Sequence, residues 1–352
     1  MEIMDYFKSY SSLLEYEPDL NIYKFQMINI EDELIYKELI TFIKNNNLTK
    51  ILISLSGGVD SNVMFEVIDY IKKVKMEDFD IHICHINYNN REESNDEKNF
   101  LIEYCKSKNY TLDFKDLEFK RGDIKREEYE KQSKNERYQF YFNLINEYKL
   151  DGVFLGHHED DLVENIFNNI MRGNRSITDL TVLKDKNKIL NVDIFRPLLK
   201  LRKNIIYDFA HKYQIPYFLD TTPEWSCRGK MRNKIFPICN ESYTDKFKES
   251  LLKIGKESDE LSNIINKQII EPIIENTRLI DKKISINKNN LLKEKYLLKT
   301  VLFKISNKYM LDIIKNKVID LIIYNFDTNL KLIISKSMSL NITENSLIIN
   351  VQ

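Results

Sequence analysis

The sequence predicts an α/β protein built on a mostly parallel, doubly wound sheet, with a smaller α+β region at its C-terminal end. Three observations carry this. Short apolar runs alternate with longer helical ones between residues 50 and 172, the order of a parallel sheet covered on both faces. A double glycine, Gly57-Gly58, follows the first apolar run and opens a helix-like segment. The segments Ser56–Ser61, His85–Arg91 and Gly156–Asp161 all fall at predicted strand ends, where ligands sit in open α/β sheets.

The elements follow in order. Residues 1–46 read as an N-terminal extension, with a strand over 22–28 and a helix over 31–45 ending in Asn45-Asn46-Asn47. Residues 47–240 form the α/β region. Its strands are predicted at 50–55, 79–86, 110–115 and 152–156, and its helices at 60–74, 94–108, 125–148 and 160–172. A further stretch runs from Ile194 to Asp220, where Arg196-Pro197 breaks a strand and 202–213 reads as a helix. Residues 241–352 read as a helical linker and a small C-terminal domain. There the pattern is helical to residue 275, and 330–351 alternates as a β-hairpin turning at 341–345.

Composition narrows the function. At 352 residues, with 43% hydrophobic and 30% charged residues, the chain has the make-up of a soluble protein with real cores. No run approaches the roughly 20 apolar residues of a membrane span. The start, Met1-Glu2-Ile3-Met4-Asp5, lacks the basic-then-apolar order of a signal peptide, so a cytoplasmic location is expected. Net charge is −1, which excludes a global basic field, although residues 240–352 carry 18 Lys plus Arg against 14 Asp plus Glu, a mild excess compatible with RNA. Cys84, Cys105, Cys227 and Cys239 form no Cys-x-x-Cys pair, which argues against a zinc ribbon or iron–sulfur site.

The run Ser56-Gly57-Gly58-Val59-Asp60-Ser61 sits between a strand and a helix. Glycines let the backbone approach an anion, and the helix N-terminus offers unpaired N–H groups and a positive dipole end. Ser56 and Ser61 add hydroxyl donors. Asp60 makes sense as a ligand to a Mg²⁺ shared with phosphates, or as a partner for a cationic substrate. The plainest alternative is a capped tight turn. Crowding at Gly58 is expected to abolish nucleotide binding.

The second loaded segment is Gly156-His157-His158-Glu159-Asp160-Asp161-Leu162-Val163-Glu164, opening a helix that reaches Arg172-Gly173. Asp161 and Glu164 are three apart and share a helix face. An acidic N-cap is the plain reading; two histidines with several carboxylates exceed what capping requires.

These residues carry a resemblance. Ser-Gly-Gly-x-Asp-Ser resembles the loop of the N-type ATP pyrophosphatases (the PP-loop superfamily), which implies a PP-loop, adenine nucleotide alpha hydrolase-like fold. Gly-His-His-x-Asp-Asp-x-x-Glu followed by Arg-Gly is similar to the tRNA(Ile)-lysidine synthetase family. So is His85-Ile86-Asn87-Tyr88-Asn89-Asn90-Arg91-Glu92-Glu93-Ser94, which departs at Tyr88 and Asn90 where that family has His and Leu. Arg137-Tyr138, Arg196-Pro197-Leu198-Leu199 with Arg202, Asp220, and Arg232-Asn233 match further signatures. Lys134 stands where the family has Arg, and the insert at 225–230 is not family-like.

The resemblance implies an ATP-dependent ligase that adenylates the 2-carbonyl oxygen of the wobble cytidine in a tRNA(Ile) with a CAU anticodon. Free L-lysine then displaces AMP. ATP and Mg²⁺ are the implied cofactors, with nucleotide contacts at Ser56, Gly57, Gly58, Val59, Asp60, Ser61, His85, Asn87 and Gly156, and the metal at Asp60. Asp60, Arg137, His157, Asp161, Glu164 and Arg232 are the implied catalytic residues. The paired acids suit a cationic amine, and one could take its proton; the arginines neutralise phosphate charge. Two further readings stay open: a tRNA thiolase of the same superfamily using Cys84 and Cys227, and a nucleotide- or RNA-binding module with decayed catalysis.

Overall fold

The computed structural model describes residues 10–16, 29–173, 175–220, 222–291 and 293–351. They divide into two compact units: residues 1–175 with 180–255, and 176–179 with 256–352.

In chain order the first unit contains β1 (Leu14–Tyr16), α1 (Leu34–Asn45), β2 (Lys50–Ser54), α2 (Val59–Lys75), β3 (Asp80–Asn87), α3 (Ser94–Ser107), β4 (Leu112–Asp116), α4 (Arg126–Tyr148), β5 (Gly152–Phe154), α5 (Glu159–Arg172), β6 (Lys186–Ile189), β7 (Val192–Phe195), α6 (Lys203–Lys212) and β8 (Tyr217–Phe218). Six strands form one sheet in the order β4-β3-β2-β5-β7-β6. All its pairs are parallel except β6–β7. This is the predicted sheet, with an antiparallel hairpin added at one edge.

The order explains where the site lies. From β2 the chain steps outward through β3 to β4, then returns to the other side of β2 as β5. The reversal opens a crevice between the C-terminal ends of β2 and β5, where the Ser56–Ser61 and Gly156–Asp161 segments emerge. β2 is buried on both faces because its side chains alternate between two cores. Ile51 and Ile53 join the layer with α1, α2 and α6, while Leu52 joins Tyr138, Tyr141 and Leu144 of α4.

The structure refines several expectations. The helix foreseen from residue 31 begins at Leu34, and its Ile35, Tyr36, Leu39 and Ile43 belong to the main core. The segment read as an extension therefore helps build the α/β unit. The strand expected over 22–28 lies outside the described residues. Residues 14–16 pair antiparallel with Tyr217–Phe218, a partnership with no signal in sequence.

In the second unit, the expected hairpin over 330–351 is three strands, β11 (Leu330–Ser335), β12 (Met338–Ile342) and β13 (Ser346–Val351). They complete a five-stranded antiparallel sheet with β9 (Leu279–Ile280) and β10 (Lys283–Asn287). Its core includes Leu298, Val301 and Ile305 of the helix Lys295–Lys308 and Ile319 and Ile322 of the helix Asn316–Tyr324, neither of which the periodicity had singled out. Among the described residues, no helix is long and apolar enough to cross a membrane.

Candidate active site

The glycine loop is held from within and from behind. Gly57 has φ +82°, the left-handed region that glycine favours, and a Cβ there would lie 2.2 Å from the Phe218 ring. The Phe218 amide donates to the Gly57 carbonyl at 3.0 Å. Gly58 is different: it caps α2 with φ −71°, and the nearest atom to an added Cβ is Ser56 Oγ at 3.5 Å. The conformational demand thus falls on Gly57. The two serines are not free donors either. Ser61 Oγ donates to the Gly58 carbonyl at 3.0 Å and accepts from the Ser56 amide at 3.1 Å, while Ser56 Oγ accepts from the Gly58 amide at 3.3 Å. They brace the loop so that its form precedes any ligand.

Across the crevice, Gly156 lets β5 run against α2: a Cβ there would sit 3.1 Å from the Ser61 nitrogen and 3.2 Å from Asp60 Cβ. His158 caps α5, its amide donating to Asp161 Oδ2 at 3.1 Å. Its Nε2 lies 3.7 Å from Asp60 Oδ1 and 3.5 Å from Asp161 Oδ2, joining the two segments. Burial holds both site histidines neutral: the pKa of His158 is lowered to about 4, and that of His157, also near Arg196, to about 3. Arg196 Nε donates to His157 Nδ1 at 3.3 Å. Since a guanidinium can only donate, the His157 proton resides on Nε2.

The acid pair is engaged. Arg228 and Arg232 are four apart on one helical face, matching the i, i+3 spacing of Asp161 and Glu164. Arg228 pairs with both acids, and so does Arg232. Arg232 also reaches Asp220 at 3.2 Å. It sits in a π-helical turn, Met231–Ile235, between the helical pieces Cys227–Lys230 and Phe236–Tyr243. Burial raises the pKa of Glu164 despite the Arg232 contact. Both acids are buried and already paired with cations of the chain.

Asp60 is likewise paired, both oxygens lying 2.7 Å from Lys203 Nζ. Asp160 accepts from the Lys203 amide at 2.9 Å and from Lys248 Nζ at 2.7 Å. Among the described residues, no group of three or more His, Cys, Asp or Glu is placed to hold a metal ion. One carboxylate at the loop fits an ion whose other oxygens come from phosphates.

Three cavities adjoin these residues. One of about 330 Å³ is lined by Ser56, Gly58, Val59, Asp60, His157, Asp161, Arg228 and Arg232, among others. A second, about 360 Å³, includes Glu164 and shares His158, Lys203 and Arg232 with the first. A third, about 220 Å³, lies between Ser56, Ser61, Gly156, His157, His85 and Arg137. Arg137 there has no carboxylate partner among the described residues; its Nη1 is 3.4 Å from the Tyr88 hydroxyl and its buried Nε has no acceptor. His85 Nδ1 lies 2.9 Å from the Leu55 carbonyl, fixing the start of the loop. Asn87 lines none of the three cavities. Its amide serves Asn95, Asp116 and the Asn89 backbone.

The crevice therefore gathers Ser56, Gly57, Gly58, Val59, Asp60, Ser61, Gly156, His157, Asp161, Glu164 and Arg232, with Arg137 and His85 on its flank. Lys203 and Arg228 line it too, and Arg196 braces His157; their roles were not foreseen. For Arg228 a signal existed, the four-residue spacing to Arg232; for Lys203 and Asp60, far apart in the chain, none did.

A phosphate-sized loop at the switch point of a parallel sheet, faced by an acidic helix start, defines a nucleotide-type α/β fold. Residues 32–239 match the family model described as a PP-loop domain, and the chain belongs to that family. The tRNA(Ile)-lysidine synthase of Mycoplasma mycoides subsp. mycoides SC is 27% identical over 266 residues, 75% of this chain and 63% of that protein. The tRNA(Ile)-lysidine synthase of Chlamydia caviae is 29% identical over 231 residues, 64% of this chain and 69% of that protein. The match thus spans less than two thirds of the Mycoplasma relative's length. Among solved structures, the U34-tRNA thiolase NcsA from Methanococcus maripaludis with its [4Fe-4S] cluster is similar with a TM-score of 0.52 at 16% identity, covering 65% of this chain and 78% of that one. That likeness is one of fold.

Proposed function

We propose that the protein is a cytoplasmic ligase that uses ATP to join free L-lysine to the wobble cytidine of a tRNA(Ile) with a CAU anticodon, as the names of its relatives suggest. The observation that carries the reading is the shared crevice: the glycine loop and Asp161 line one cavity, and Glu164 lines the next.

In this reading the loop amides and the start of α2 hold the phosphates of ATP. The cytidine 2-carbonyl oxygen attacks the α-phosphorus, and pyrophosphate leaves. His157 Nε2–H and Arg137 stabilise charge on the oxygens concerned. Asp60 would hold a Mg²⁺ through one carboxylate oxygen, and the ion would screen phosphate charge. Asp161 and Glu164 bind the cationic lysine. One of these acids takes the ammonium proton; the neutral amine then attacks C2, the C–N bond forms, the C–O bond to AMP breaks, and the nitrogen's second proton passes to the other acid. The raised pKa of Glu164 favours that acceptance. The mildly basic residues 240–352 are assigned to the tRNA.

Of the two cysteines in the thiolase reading, Cys84 is buried and burial pushes its thiol up, whereas Cys227 is exposed; a second reactive thiol beside it is what thiolation would need. Incubation with ATP, Mg²⁺, lysine and the tRNA, followed by mass analysis of nucleosides, tests the proposal. A cytidine heavier by lysine less water is expected; its absence overturns the reading.

A further inference from the structure

Arg228 belongs to the segment 225–230, the part of the α/β unit that matched no signature. Its guanidinium nevertheless makes the contacts that a cationic substrate would make, pairing with Asp161 and with Glu164. The two acids retain 7% of their side-chain exposure, whereas Arg228 retains 46%. It therefore lies over them on the solvent side.

The backbone beneath Arg228 is fixed. Ser226 caps the turn by accepting from the Gly229 amide at 2.9 Å, and a Cβ on Gly229 would fall 2.2 Å from the Pro223 carbonyl oxygen. Arg232 is tied to a third carboxylate, Asp220, at 3.2 Å. Arg228 makes no ion pair beyond those with Asp161 and Glu164 among the described residues. Its side chain is held by those two contacts and is 46% exposed.

The same 330 Å³ cavity supplies a reason to move. It runs from Ser56 and Gly58 to Arg228, and its cations Arg91, Lys203, Arg228 and Arg232 all pair with carboxylates. A triphosphate held there by the loop amides meets none of these four cations unpaired, and its charge competes with the carboxylates for them. A guanidinium matches phosphate oxygens in a bidentate fork.

We infer that Arg228 is a resident substitute for the cationic amine, and that bound triphosphate draws it off the acid pair, so that nucleotide must bind before lysine can. This rests on the lysine reading above. Arg228 acts as a positioning residue that sets the order of addition.

The test is calorimetric titration of L-lysine into the full chain, wild type and Arg228→Gln, each with and without a non-hydrolysable ATP analogue and Mg²⁺. Wild type is expected to bind lysine about tenfold or more tightly with the analogue, the scale of a lost charged contact. Arg228→Gln without nucleotide should bind within about threefold of nucleotide-loaded wild type, since its competitor is gone. Arg228→Lys, which keeps one charge but not the fork, should fall between and serves if the Gln variant does not fold. Equal lysine affinity in wild type and variant without nucleotide overturns the inference. So does the absence of lysine heat in all four samples. The nucleoside mass assay on wild type then separates the cases, because a lysine adduct formed there leaves the broader reading standing.

Discussion

The Phe218 ring occupies the space in which a side chain on Gly57 would begin, 2.2 Å from the position of its Cβ. β8 thereby selects glycine at Gly57, whereas an added Cβ at Gly58 would meet only Ser56 Oγ, at 3.5 Å. Gly57→Ala is expected to cost about 1–3 kcal/mol through overpacking and the positive φ and to weaken nucleotide binding strongly. Gly58→Ala should be tolerated much better. Urea unfolding and equilibrium nucleotide binding of the two variants check the contrast, and equal effects would refute it.

Asp161 both caps α5 and faces the crevice. Asp161→Asn keeps an acceptor for the His158 amide but removes the charge. ATP binding should stay nearly intact, while lysine transfer falls by roughly 10²-fold or more. Single-turnover transfer measured beside ATP affinity shows whether the two separate.

Lys203 neutralises Asp60 at the mouth of the loop. In Lys203→Met, Asp60 confronts the incoming phosphates without its partner. Nucleotide affinity should drop about tenfold or more, the scale of a charge-assisted hydrogen bond, with partial recovery in Lys203→Arg. Unchanged affinity in the Met variant would show that Lys203 does not tune the site.

The neutral histidines give a pH signature. In the unfolded chain each titrates near about 6.5, whereas His157 and His158 are lowered to about 3 and about 4 in the fold. Below pH 6.5 the unfolded chain takes up protons that the folded site refuses. Stability is thus fully present above that pH and is lost progressively as pH falls toward the folded values. The urea midpoint should decline between pH 6.5 and 5, and less steeply in His157→Asn. A parallel decline in the variant would remove His157 from the effect.

Much of this architecture was legible because its signals are local. The apolar runs at 50–55 and 152–156 and the helices between them follow from periodicity, and the double glycine marks the loop. Pairings across distance were not legible. Asp60 meets Lys203, Phe218 meets Gly57, and Leu14 meets Phe218 only through tertiary packing. The arginines that meet Asp161 and Glu164 were hidden for a related reason. Carboxylates this buried need partners; Arg228 supplies one from the insert that matched no signature, and Arg232 the other from the Arg-Asn element. Asn87 stood within a signature, yet its amide is consumed by its own neighbourhood.

The contact between Phe218 and Gly57 also sets a timetable. During synthesis the loop at 56–61 leaves the ribosome long before its buttress, and the Leu14–Phe218 pairing closes a large arc of chain whose ends must find each other against loop-closure entropy. The central strands can pair early, but the nucleotide pocket matures only once β8 has been made. A nascent chain halted before that point would carry the signature loop without a working grip on ATP.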